Sequence, residues 1–119
     1  MVQLVVYPAF RLVGADEWVR YHGTHTQAIS WVVALPWLVQ GVSTAALLIA
    51  PAAGGRLAAV VLAVLALVTV VATVVTAVPA HGRLAASRNT ADMAVLLRAN
   101  LVRTVAWTGS TVLAAALLV

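Results

Sequence analysis

The sequence predicts an all-α, multi-pass transmembrane helical bundle of about four helices with a short first one. Three observations carry this prediction. The chain is 64% hydrophobic and 8% charged, against about half apolar and a quarter charged in soluble domains. In 119 residues too little surface is hidden on folding in water to bury that apolar excess. Long apolar runs, up to the uncharged stretch 57–80, match the roughly 20 residues a helix needs to cross about 30 Å of hydrocarbon. Strands of that length are not formed, and lipid requires every backbone group to be bonded within a helix or a closed barrel. The chain is read as one integral membrane domain, 1–119, with segments at about 2–13, 26–50, 56–79 and 90–119.

The first segment is apolar apart from Gln3 and Arg11 and contains Pro8. At 1.5 Å per residue it reaches about 20 Å, short for a full crossing. It lacks the basic start and the small-residue cleavage pattern of a signal peptide. A polar connection follows, with Asp16, Glu17, Trp18, Arg20, Tyr21, His22 and His25. The second segment ends at Pro51 and the Gly54-Gly55 pair, and Pro36 inside it removes one backbone donor. Gln40 stands near enough to satisfy groups that Pro36 frees. The third segment is rich in Val and Ala, with a stripe of Thr69, Thr73 and Thr76 of the kind that joins membrane helices. A second polar connection spans His81 to Asn89. Asn89 is placed to cap the last helix, with Asp92 in its first turn. The apolar run 101–119 is interrupted by Arg103.

The basic residues are all Arg, seven of them, for a formal charge of +4. They lie in the short polar stretches, the pattern of headgroup-facing loops rather than of nucleic-acid binding. Arg11, Arg20, Arg83, Arg88, Arg98 and Arg103 fall on one side and Arg56 on the other, which predicts a plasma-membrane protein with the His- and Arg-rich connections in the cytoplasm. The absence of Cys excludes disulfides and thiolate chemistry.

The same topology gathers the histidines. His22 and His25 share a helix face if their stretch is helical, and with His81 they form a candidate three-nitrogen metal site; interfacial histidines among headgroups are the plainer reading. Asn100, Arg103 and Trp107 occupy one face of the last helix. Arg103 either faces the bundle interior or snorkels to the interface. Candidate catalytic residues are His25, His81, Asn100 and Arg103. Trp31, Trp107 and Tyr21 are candidate substrate-binding residues, and with Trp18 they also fit an aromatic belt. The cofactor is open between none and a His-bound transition metal. The partners are the bilayer and either a second copy or a membrane subunit.

Four short patterns carry a resemblance. They are Val6-Tyr7-Pro8 with Phe10; Tyr21-His22-x-x-His25 with Ile29-Ser30-Trp31; Pro79-x-His81-x-Arg83-Leu84; and Leu97-x-x-Asn100-x-x-Arg103-Thr104 with Trp107. Together the chain resembles the anthrone-oxygenase-like family of small four-helix bacterial membrane proteins, a domain-of-unknown-function family. The resemblance implies a four-helix bundle with its polar motifs near one face. It also implies, for some members, oxidation of a polycyclic phenolic anthrone to a quinone by dioxygen. The chain departs from the family in its short first helix. Two functions are therefore expected to compete: an oxygenase-like enzyme acting on a hydrophobic aromatic substrate, and a non-enzymatic accessory subunit. A transporter ranks last, because a bundle this small needs oligomerisation to make a pathway.

Overall fold

Four helices in chain order make up the computed structural model, which describes residues 2–51 and 55–117. They are α1 (Val2–Leu12), α2 (Ala15–Ile49), α3 (Gly55–Ala86) and α4 (Thr90–Ala116). The all-α reading with a short first helix holds. The bundle measures 54 × 20 × 19 Å, and α2, with 35 residues, accounts for its length at 1.5 Å per residue.

The helices run past the apolar segments expected from hydropathy. The polar stretch before residue 26 is helical from Ala15, where Gly14 turns the chain and Asp16 and Glu17 sit in the first turn, favourably placed at the positive helix end. Likewise α3 continues beyond Pro79 through His81 to Ala86. The connection to α4 then shrinks to Ser87, Arg88 and the cap Asn89, whose side-chain oxygen accepts from the Asp92 N–H at 2.7 Å, as the sequence predicts.

Proline explains two irregular turns. Pro8 and Pro79 each follow a wide, π-type turn, Val2–Val6 and Ala72–Ala77. Proline offers no N–H and its ring collides with the carbonyl four residues back. Widening the preceding turn moves that carbonyl away, and the helix continues. No such turn interrupts α2 around Pro36.

Two helices, α2 and α3, are long and apolar enough to cross a membrane. The last apolar run, expected to cross as well, extends to residue 119, and its end lies outside the described residues. Leu35, Leu38, Ile49, Leu57 and Val75 are all more than half exposed, and lipid is the surrounding that suits such a surface.

The tightest packing is at the polar end. Tyr7, Phe10, Trp18, Ala80, Leu84, Met93 and Leu96 form one buried cluster joining all four helices. Small residues, Ala77, Ala80 and Ala99, let the backbones approach closely there. That matters in a bilayer, where packing rather than water exclusion holds helices together. Trp18 closes the cluster: its indole N–H donates to the Leu84 carbonyl at 2.7 Å, in the last turn of α3, where helix carbonyls lack intrahelical partners.

Candidate functional site

Immediately beside that cluster, mainly between α2 and α3, lies a half-open cavity of about 750 Å³. Its walls are mostly apolar, including Ile29, Val33, Ala77 and Val78, with Thr26, Ser30 and Trp37 from α2. Four chemically active side chains reach it: Tyr7, His22, His81 and Arg103. They come from all four helices, so the site exists only in the assembled bundle.

His22 is held by Trp18, whose ring stacks on it at 5.2 Å and an interplanar angle of 30°. One helical turn separates the two residues on α2, so the buried Trp18 fixes His22 as well. The His22 Nε2 and His81 Nδ1 lie 3.1 Å apart. A hydrogen bond there needs one ring to donate and the other to accept; the pair therefore shares a proton and keeps a bare nitrogen.

Arg103 is 7% exposed, which settles its two readings in favour of the interior. Its Nη2 donates to the Asn100 Oδ1 at 2.8 Å and its Nη1 to the Thr73 Oγ1 at 3.1 Å. Asn100 is fixed in turn by donating from Nδ2 to the Gln3 Oε1 at 2.7 Å. Among the described residues no carboxylate pairs with Arg103; the two ion pairs are Glu17–Arg20 and Asp92–Arg83. The Arg103 Nε is buried with no partner among the described residues. The guanidinium is thus a positioned, uncompensated cation facing an apolar space.

The sequence candidates divide. His81 and Arg103 line the cavity, and Asn100 stands behind Arg103 as its support. His25 does not line it: its ring packs edge-on to Phe10 at 4.8 Å, and His22 takes the place expected for it. The three histidines do gather at this end: the His22 and His81 rings lie 5.3 Å apart and those of His25 and His81 6.2 Å. Among the described residues no three His, Asp or Glu side chains are placed to hold an ion, because His22 and His81 direct nitrogens at each other while His25 turns to Phe10. Trp31 is 78% exposed on the outer surface, away from the cavity. Tyr21 packs against Phe10 at the rim of the aromatic cluster. Trp107 belongs to a second cavity, where its N–H donates to the Gln40 Oε1 at 2.9 Å. Gln40 thus serves Trp107 rather than the backbone near Pro36. Tyr7, Gln3 and Thr73 were not singled out as site residues. Only the Val6-Tyr7-Pro8 pattern and the threonine stripe pointed near them.

Outside the apolar spans, Arg83 donates from Nε to the Asp92 Oδ1 at 2.8 Å, and Asn89 donates to Oδ2. Arg83 first, then Asn89, holds the Asp92 carboxyl below its ordinary range. This ties the end of α3 to the start of α4 close to His81.

Fold and site together define a four-helix chain with two membrane-length helices and a buried His–His and Arg site between them. Against protein-family models, curated proteins and solved structures, the chain matches none.

Proposed function

We propose that this is a bacterial plasma-membrane enzyme, oxygenase-like, acting on a hydrophobic aromatic substrate that carries an acidic phenol or enol oxygen. One observation carries the reading: an imidazole pair and an uncompensated guanidinium face the same apolar cavity between two membrane-length helices. The His22–His81 pair is the base that takes a proton from the substrate. Arg103, held by Asn100 and Thr73, steadies the resulting oxyanion. The electron-rich anion then reacts with dioxygen; overall, a ring CH₂ and O₂ become C=O and H₂O. Asn100 is a positioning residue, acting through Arg103. The motif-level resemblance to the anthrone-oxygenase-like family agrees with this chemistry. The Arg-rich end, with Arg11, Arg20, Arg83 and Arg88, faces the cytoplasm in this reading.

The second reading, an accessory subunit of a larger membrane complex, is favoured by the bare apolar length of α2, whose most apolar stretch buries none of its residues. Co-purification with one stoichiometric membrane partner supports it.

The test is oxygen consumption and product analysis on a panel of anthrone-type and simpler phenols, with protein in lipid nanodiscs. His22→Gln, His81→Gln and Arg103→Gln, each verified as folded by circular dichroism, are expected to lower turnover by about 10²-fold or more. Unchanged turnover in all three variants refutes the assignment.

A further inference from the structure

We propose that the site accepts an elongated amphiphile, with an acidic oxygen head on Arg103 and a long apolar tail that runs along α2 into a second cavity. The inference rests on the head site proposed above and adds the shape of the substrate.

The head follows from charge. Arg103 is 7% exposed, its two Nη groups meet neutral oxygens of Thr73 and Asn100, and its buried Nε has no partner among the described residues. A cation at membrane depth is costly unless paired. A molecule bearing a phenolate-type oxygen supplies the missing charge against the part of the guanidinium that lines the cavity, and the neighbouring His22–His81 pair accepts its proton.

The tail follows from the second cavity. It holds about 790 Å³, as large again as the first, which by itself already suffices for a compact ligand. The two cavities meet at Ile29 and Val33, which line both. Along α2 the wall residues Thr26, Ile29, Val33, Pro36, Gln40 and Leu47 recur at intervals close to whole turns, so they form one continuous stripe. From Val33 to Leu47 the stripe extends about 21 Å at 1.5 Å per residue, a reach suited to a long hydrocarbon chain. Leu35, Val39, Leu62 and Ala114 complete an apolar wall. In this wall Trp107 spends its N–H on the Gln40 Oε1, so it presents an apolar ring to the tail.

Photolabelling in phosphatidylcholine nanodiscs tests this without requiring turnover. Two long-chain 4-alkylphenols are used, one with a diazirine next to the ring and one with it at the tail end. The ring-proximal label is expected on first-cavity residues such as Ser30 and Val78. The terminal label is expected on Leu47, Thr111 and Ala114. Unlabelled long-chain phenol competes for both labels, and a short-chain phenol, which lacks the tail contacts, needs at least about tenfold higher concentration to do so. Arg103→Gln is expected to reduce specific labelling about tenfold or more, and Arg103→Lys to retain part of it. Val33→Trp, which narrows the junction, removes the terminal label from Leu47 and Ala114 and so provides a check that does not depend on the Arg103 variants.

Terminal label scattered over outward-facing Leu67 and Val74 overturns the proposal. So does equal potency of the short-chain and long-chain phenols as competitors, or a crosslink showing a second copy or a partner helix seated in the second cavity. A correct label map without oxidation keeps this inference and removes the oxygenase reading. Oxidation of a short phenol with the terminal label elsewhere does the reverse.

Discussion

Trp18 offers the sharpest test of how the polar end is held together. Trp18→Phe keeps an aromatic ring in the cluster but deletes the N–H that bonds the Leu84 carbonyl at 2.7 Å. That carbonyl sits in the last turn of α3 and is left without a partner. Such a loss costs about 1–2 kcal/mol in a membrane protein. The smaller ring leaves on the order of 40 Å³ unfilled around a residue packed on both Phe10 and His22, adding about 1 kcal/mol. The expected total is about 2–3 kcal/mol. The assay is unfolding in mixed micelles by rising SDS, followed by circular dichroism. Trp31→Phe serves as the control, since Trp31 is 78% exposed and its replacement is expected to stay within about 0.5 kcal/mol. If Trp18→Phe matches that control, the hydrogen bond and the packing around it do not hold α2 to α3, and the placement of His22 loses its stated cause.

Three other outcomes follow from single contacts. Asp92 has a depressed folded pKa, so its pairing contributes fully above the ordinary carboxyl value of 3.8 and is lost as pH falls through the lower folded value; stability measured against pH is expected to fall in that acid range, with a shallower fall in Asp92→Asn. Gly109→Ala is expected to stabilise α4 by about 0.5–1 kcal/mol, because the added Cβ meets the Leu65 Cδ1 at an ordinary 3.7 Å; SDS titration checks the sign. Gln40→Leu strands the Trp107 N–H and is expected to cost about 0.6–1.7 kcal/mol. Adding Trp107→Phe to it should cost little more, which a double-mutant cycle reads directly.

How much of the site could be read in advance differs residue by residue. Arg103 announced itself, because an arginine inside an apolar run has few stable placements. The three-residue spacing put Asn100 on the same helix face, but only the fold placed it behind Arg103 as its support rather than in the cavity. His22 and His25 were indistinguishable by sequence. Which of them reaches the cavity depends on where Trp18 and Phe10 pack, and that depends on α1 docking across the polar end. Trp31 and Trp107 both fit an interfacial belt, yet one faces outward while the other bonds Gln40, 67 residues away in sequence.

Composition and run length alone determined the class: an excess of apolar residues in segments of membrane length leaves helices in lipid as the physical solution. Local rules also sufficed for the Asn89 cap and for the gathering of polar residues at one end, since both depend on neighbours in sequence or on alternating topology. Helix rotation and depth were decided by tertiary structure. The wide turn before Pro79 changes the register at which His81 follows it, and the close approach allowed by Ala77, Ala80 and Ala99 brings α1, α3 and α4 into contact. Hydropathy averages over every face of a helix. It therefore cannot state which polar side chains meet, and only packing placed His22 against His81 and left Arg103 without a counter-charge among the described residues.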